Sequence, residues 1–141
     1  MSQAVVSRQI NHDTVTVFQA FASKEAVEKW FTPSPEMAVK VLAFDFVEKG
    51  SYRFEYAIGP DQSVTLFGTF LSIQEARHLS FTWEWVDPMP GGEGTSKVLI
   101  DFKPDAMATE IVVTHQDVAE LVDQHIHGWE ATLDQLEKFL D

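Results

Sequence analysis

Five histidines are the side chains best suited to acid–base or metal chemistry in this sequence, and their spacing separates them. His125 and His127 lie two apart in a helical stretch, so they point to different faces. A pair of metal ligands on one helix needs a spacing of three or four. His115 shares its parity with Ile111 and Val113, which directs it inward. There it is either a hydrogen-bonded histidine at the rim of the core, or a polar handle or general base for a bound molecule. The carboxylates are many, yet nearly all fall on polar positions. Glu84 alternates with Trp83 and Trp85 and is expected to face solvent. Cysteine is absent, which excludes disulfides, thiolate metal sites and cysteine nucleophiles. Serine-nucleophile motifs, phosphate-cradling glycine loops and zinc spacings are missing as well. The sequence therefore names no catalytic residue, no metal ligand and no cofactor.

The second set with chemical meaning is aromatic. Tyr52, Phe54 and Tyr56 occupy one face of an alternating stretch, and Phe81, Trp83 and Trp85 occupy one face of another. Such residues are ordinarily core, but a ligand pocket is also apolar with a few polar groups set into it. Tyr56, Trp83 and His115 are the candidates for those groups.

Positioning these residues requires a sheet and a long helix. Residues 5–10 read as a strand. Asp13 caps a helix over 14–22, and Ser23 caps a short one through Lys24, Val27 and Trp30. Thr32-Pro33-Ser34-Pro35 stops it, because proline disfavours helix in the residue before it. Strands follow at 39–46, 51–57, 64–73, 79–85, 96–102 and 109–115, joined by short polar turns, and that pattern gives an antiparallel meander. The 64–73 strand is apolar on both parities, and Gly68 in its middle is expected to mark a bulge. Residues 118–140 carry Val122, Ile126, Trp129, Leu133, Leu136 and Leu140 on one helical stripe. Gly128 interrupts this helix, and close packing on another element is the expected reason.

A twisted antiparallel sheet curls around such a helix with its convex side in water. The class is α+β, as one domain over residues 1–141. A chain of 141 residues buries roughly two-thirds or more of its unfolded surface without staples. With 22 acids against 10 bases the formal charge is −12, which repels phosphate backbones and anionic headgroups. Nucleic acid and membrane are therefore not expected partners. The N-terminal residues lack the pattern of a secretory signal and no apolar run spans a bilayer, so the expected location is cytoplasmic.

Several short motifs fall in a characteristic order. Val17-Phe18-Gln19-Ala20, Trp30 and Gly50-Ser51-Tyr52-Arg53-Phe54 come first. Gly68-Thr69-Phe70, Leu79-Ser80-Phe81-Thr82-Trp83, Thr109 and Thr114-His115 continue them, and His127-Gly128-Trp129 with Leu133 and Leu136 closes the series. The succession resembles the START-like SRPBCC superfamily, in particular the domain named after the activator of the heat-shock chaperone ATPase. That resemblance implies a helix-grip fold with a cavity between sheet and long helix, used across the superfamily for apolar molecules. The eukaryotic co-chaperone also has a separate N-terminal chaperone-binding domain, for which this length leaves no room. Lys49-Gly50 stands where many relatives have paired glycines.

Three functional readings follow. The first is a domain that binds an apolar small molecule without acting on it. The second is a chaperone-associated interaction module, and the third is an enzyme of cyclase or hydrolase type. The chaperone and a second copy of the chain are the protein partners left open. A straight helix cannot follow a curved sheet along its whole length, so a cavity is expected over the first half of the helix. Its expected walls are Phe54, Tyr56, Phe81, Trp83 and His115, with Ile126 from the helix. The loop at 87–94, rich in glycine, is the expected lid.

Overall fold

Asp13 and Ser23 each turn the chain into a helix by accepting a hydrogen bond from an otherwise unpaired amide. Asp13 takes the N–H of Thr16 at 2.8 Å and Ser23 takes that of Ala26 at 3.2 Å. These caps start α1 (Thr14–Ala22) and α2 (Lys24–Trp30) in the computed structural model, which describes residues 2–86 and 94–141. β1 (Ser2–Ile10) precedes them. β2 (Val39–Phe44), β3 (Ser51–Gly59), β4 (Gln62–Gln74), β5 (His78–Trp85), β6 (Ser96–Asp105) and β7 (Ala108–Asp117) follow. A 3-10 turn at Ala119–Leu121 leads into α3 (Val122–Leu140), whose 19 residues span about 28 Å.

The seven strands form one antiparallel sheet in the order β1-β7-β6-β5-β4-β3-β2. Successive hairpins build β2 to β7, and β1 joins the far edge by pairing with β7 from Ser2↔Asp117 to Ile10↔Thr109. Curvature is concentrated in the half made by β2, β3 and β4. Register shifts occur there between Val41 and Ala43, between Ala57 and Gly59, and between Phe70 and Ser72. Each extra residue bends and twists its strand.

The bulge of β4 is thus at Leu71 and not at Gly68. Gly68 sits in regular register opposite Tyr52. A Cβ at Gly68 would stand 2.2 Å from the Thr82 carbonyl oxygen and 2.8 Å from Tyr52 Cε2, so this glycine admits a close approach of neighbouring chains. The shift at Leu71 explains one part of the double apolar parity, turning Ile73 to the core, while Phe67 stays on the outer face with the Arg53 guanidinium 5.7 Å from its ring centre. Leu66, Gly68 and Phe70 face the core before it, and Ile73 packs on the core after it.

α3 lies across the concave face, resting on β1 and β7 and against α2. Trp129, Leu133 and Leu136 are buried, whereas Val122, Ile126 and Leu140 are half-buried at the ends of the stripe. Arg8, on the inward parity of β1, fastens the helix from the side. Its guanidinium pairs with Asp134 and with Glu137 at 3.1 Å, and donates to the Glu130 carbonyl at 3.3 Å. A sheet wrapped around one long helix is the helix-grip architecture. Among the described residues no helix is long and apolar enough to cross a membrane.

Trp129 is 3% exposed and joins α3 to the sheet. Trp129→Ala is expected to lower the unfolding free energy by about 3–5 kcal/mol, the usual cost of truncating a large core side chain. Urea unfolding measures this directly, and a loss below about 1 kcal/mol would show that the helix is docked by other contacts.

Candidate functional site

Because α3 is held to β1 and β7 while the bulged half of the sheet curls away, the two surfaces part on one side. A cavity of about 360 Å³ occupies the gap. Phe31, Tyr56, Val64, Trp83, Trp85 and Trp129 give it an apolar, largely aromatic wall. Gln124, His125 and Gly128 line it from the first half of α3, and Asp117 lines it from the end of β7. A second space, of only about 20 Å³, lies deeper among the phenylalanines and is in effect filled.

Behind the cavity wall runs a chain of hydrogen bonds whose directions are fixed. The Trp129 indole can only donate, and its Nε1 donates to His115 Nδ1 at 3.1 Å. That bond makes Nδ1 an acceptor, so the proton of neutral His115 sits on Nε2 and is donated to Ser96 Oγ at 2.8 Å. Ser96 Oγ in turn donates to the Trp83 carbonyl at 3.3 Å. His115 is fully buried. Burial, with a contribution from neighbouring His125, holds its pKa down to about 3 against an ordinary 6.5, although Asp117 acts in the opposite direction.

The ring of His125 stacks on that of His115, with centroids 3.6 Å apart and planes 19° from parallel. Its Nε2 meets Asp117 Oδ2 at 2.8 Å. His115, Asp117 and His125 thereby bring ligand-type atoms within 4.8 Å of one another. The arrangement does not suit a cation. Both nitrogens of His115 are already engaged, and stacked imidazoles direct their in-plane lone pairs along near-parallel planes rather than at one point. His127 leaves the cluster altogether, with its Nδ1 at 2.9 Å from the Asp123 carbonyl oxygen on the outer face of α3.

The residues singled out from sequence are divided by this geometry. Tyr56 and Trp83 line the cavity. Phe54 and Phe81 instead border the filled space deeper in the core. His115 stands behind Ser96 and Trp129, and half-buried Ile126 packs against the core. Parity gives a residue's face but not its position along the strand, and only the outer ends of β3 and β5 reach the gap. Asp117 and His125 were missed: eight residues apart on two elements, they carry no motif, and only the turn between β7 and α3 joins them. Gly128 also requires correction. A Cβ there would meet nothing within 4 Å, so the glycine leaves room in the cavity rather than permitting close packing. The expected lid at 87–94 lies outside the described residues except for Gly94, which lines the cavity. Glu84 is half-buried and accepts a hydrogen bond from Thr95 Oγ1.

Over residues 12–141 the sequence matches the family described as activator of Hsp90 ATPase homolog 1-like protein. The chain belongs to this family. No curated protein matches it. Among solved structures, a protein from Chromobacterium violaceum superposes with a TM-score of 0.88 at 21% identity, covering 98% of this chain and 96% of that one. A protein from Silicibacter pomeroyi named for the same family gives 0.81 at 20% identity, covering 99% and 97%. One from Nitrosomonas europaea gives 0.81 at 19%, covering 98% and 93%. At these identities the likeness establishes the helix-grip fold of this family member and nothing finer.

The depressed pKa of His115 has a measurable sign. Well above pH 6.5 the ring is neutral whether the chain is folded or not, and it adds no pH dependence. As pH falls below 6.5 the unfolded chain takes up a proton that the folded one refuses until about pH 3, so stability falls over this window. The slope from this one group reaches at most about 1.4 kcal/mol per pH unit. Comparing urea unfolding of wild type and His115→Gln from pH 7.5 to 4 isolates it. The variant starts less stable and shows the flatter dependence; equal slopes would mean that His115 is not held neutral.

Proposed function

We propose that this protein binds an apolar small molecule in the cavity between α3 and the β3–β5 side of the sheet, as a binding or carrier domain that performs no chemistry on it. The observation that carries this reading is a cavity of about 360 Å³ walled by aromatic side chains. Small-molecule sites are commonly clefts of roughly this size, apolar with a few polar groups set into the wall. Gly128 supports it too, because it keeps open a space that alanine would enter while serving the helix better by about 1 kcal/mol.

Native mass spectrometry of the protein as purified is the first experiment, expected to show a retained small molecule at one per chain. Titration with N-phenyl-1-naphthylamine, whose emission rises in apolar surroundings, follows on the emptied protein. The dye is expected to bind wild type at one site and to be excluded by Gly128→Trp, whose circular dichroism stays native. Gly128→Ala is expected to raise the unfolding free energy by about 1 kcal/mol while weakening the dye. If wild type neither retains a molecule nor takes up the dye, the reading fails. The second reading, a chaperone-associated module, rests on the family's description alone. A purified Hsp90-type ATPase whose turnover rises on addition of this chain would promote it.

A further inference from the structure

Four aromatic rings of the cavity wall stand steeply to one another. The Trp83 and Trp85 ring centroids are 5.8 Å apart with planes at 86°. Trp83 and Trp129 are 5.7 Å apart at 48°, and Tyr56 and Trp85 are 6.1 Å apart at 58°. All four line the same space. Steeply inclined rings around one space form an aromatic cage, whose π faces attract a cation more strongly the better it is shielded from water. The charge of the wall has the matching sign. Among the described residues Asp117 is the one carboxylate that lines the cavity, and its side chain is 17% exposed. None of the ten lysines and arginines lines it, and the sequence of residues 87–93 contains neither type. Asp117 is not spent on the helix that follows, because α3 starts without a side-chain cap. Its oxygens meet the Val118 N–H and His125 Nε2, both at 2.8 Å. A carboxylate has about four acceptor positions, so capacity is left over. Exposed Glu36, Glu120 and Asp123 adjoin the lining residues Met37, Leu121 and Gln124 in the chain and add to the field at the mouth. Ser96, Gln124, Thr132 and the indole N–H groups carry no charge and set no sign. A protonated imidazole at His125 would offset Asp117, so the negative sign stands unopposed in alkaline solution.

We propose that this cavity selects an apolar molecule carrying a quaternary ammonium group, with the rings of Tyr56, Trp83, Trp85 and Trp129 holding the cation and Asp117 supplying the countercharge. This rests on the binding reading above and adds the charge and chemical class of the ligand. A quaternary nitrogen has no N–H, so it asks for no hydrogen-bond acceptor and suits a wall that is mostly apolar. Its methyl groups bury against the rings while its charge is met by their π faces.

Phenyltrimethylammonium and tert-butylbenzene have the same shape and differ in charge. Each is titrated at pH 8.5 into protein loaded with N-phenyl-1-naphthylamine, and displacement of the dye is the readout. A wall without the cage and Asp117 prefers the neutral compound by about a hundred-fold or more, because the cation leaves water uncompensated. With them the order inverts, and wild type is expected to bind phenyltrimethylammonium about ten-fold tighter than tert-butylbenzene. Asp117→Asn keeps the shape and removes the charge. It is expected to weaken the ammonium compound about ten-fold and to leave tert-butylbenzene unchanged. Trp85→Leu, at a half-buried position, is the second variant should the first not fold, and it is expected to lower the preference for the cation about five-fold. Equal or tighter binding of tert-butylbenzene by wild type overturns the inference and leaves the binding reading intact, and so does a bound dye that neither compound displaces. A preference unchanged in the folded variants overturns it as well. If wild type takes up no dye, both readings fall together.

Discussion

The hydrogen bond from Trp129 to His115 is the interaction on which the rest of the architecture turns. It joins the long helix to β7, and through Ser96 and the Trp83 carbonyl it continues into β6 and β5. Each bond in the series has only one sensible direction once the donor-only indole is placed, so four elements share a single polar register inside an otherwise apolar core. Partial loss would leave buried groups unpaired, at a cost of about 1–3 kcal/mol each. Fixing the helix here also decides where it is not fixed. Over the bulged strands β2 to β4 the sheet rises away from the helix axis, and the cavity is the geometric remainder.

Much of the fold was legible because it follows from local rules. The caps at Asp13 and Ser23, the alternation of Tyr52, Phe54 and Tyr56, and the stripe from Trp129 to Leu136 each depend on nearby residues, and each stands where the pattern put it. The candidate site was less legible. Phe54 and Tyr56 share a face and parity, yet one borders the filled core and the other the open cavity. That difference is set by where the helix ends its contact with the sheet, which no local pattern encodes. Gly128 shows the same limit from the helix side. A glycine between large neighbours reads as close packing, while the space beside it belongs to the far strands of the sheet.

The histidines show how spacing can mislead when two elements meet. Judged along the helix alone, His125 and His127 are a poor pair, and in the structure they do part. The partner of His125 is Asp117, brought near by the 3-10 turn that precedes the helix. Two imidazoles in face contact, one locked neutral inside the core and the other bonded to a carboxylate, make a polar seam with an inner and an outer half. The inner half is structural. The outer half is the part that a guest could touch.

The cavity wall is drawn from distant stretches of chain: Phe31 after α2, Tyr56 in β3, Val64 in β4, Trp83 in β5, Ser96 in β6, Asp117 at the end of β7, and the first turns of α3. No fragment of the molecule possesses it, so the pocket and the native state form and vanish as one cooperative unit. Any guest therefore draws its entire affinity from the folded population. By mass action it must defend the whole molecule against heat, with a gain of about 2.7 kcal/mol when the guest is present at a hundred times its dissociation constant. Should the cavity take a guest, the binding would show as a rise in melting temperature, and a library of compounds can be searched by heating alone.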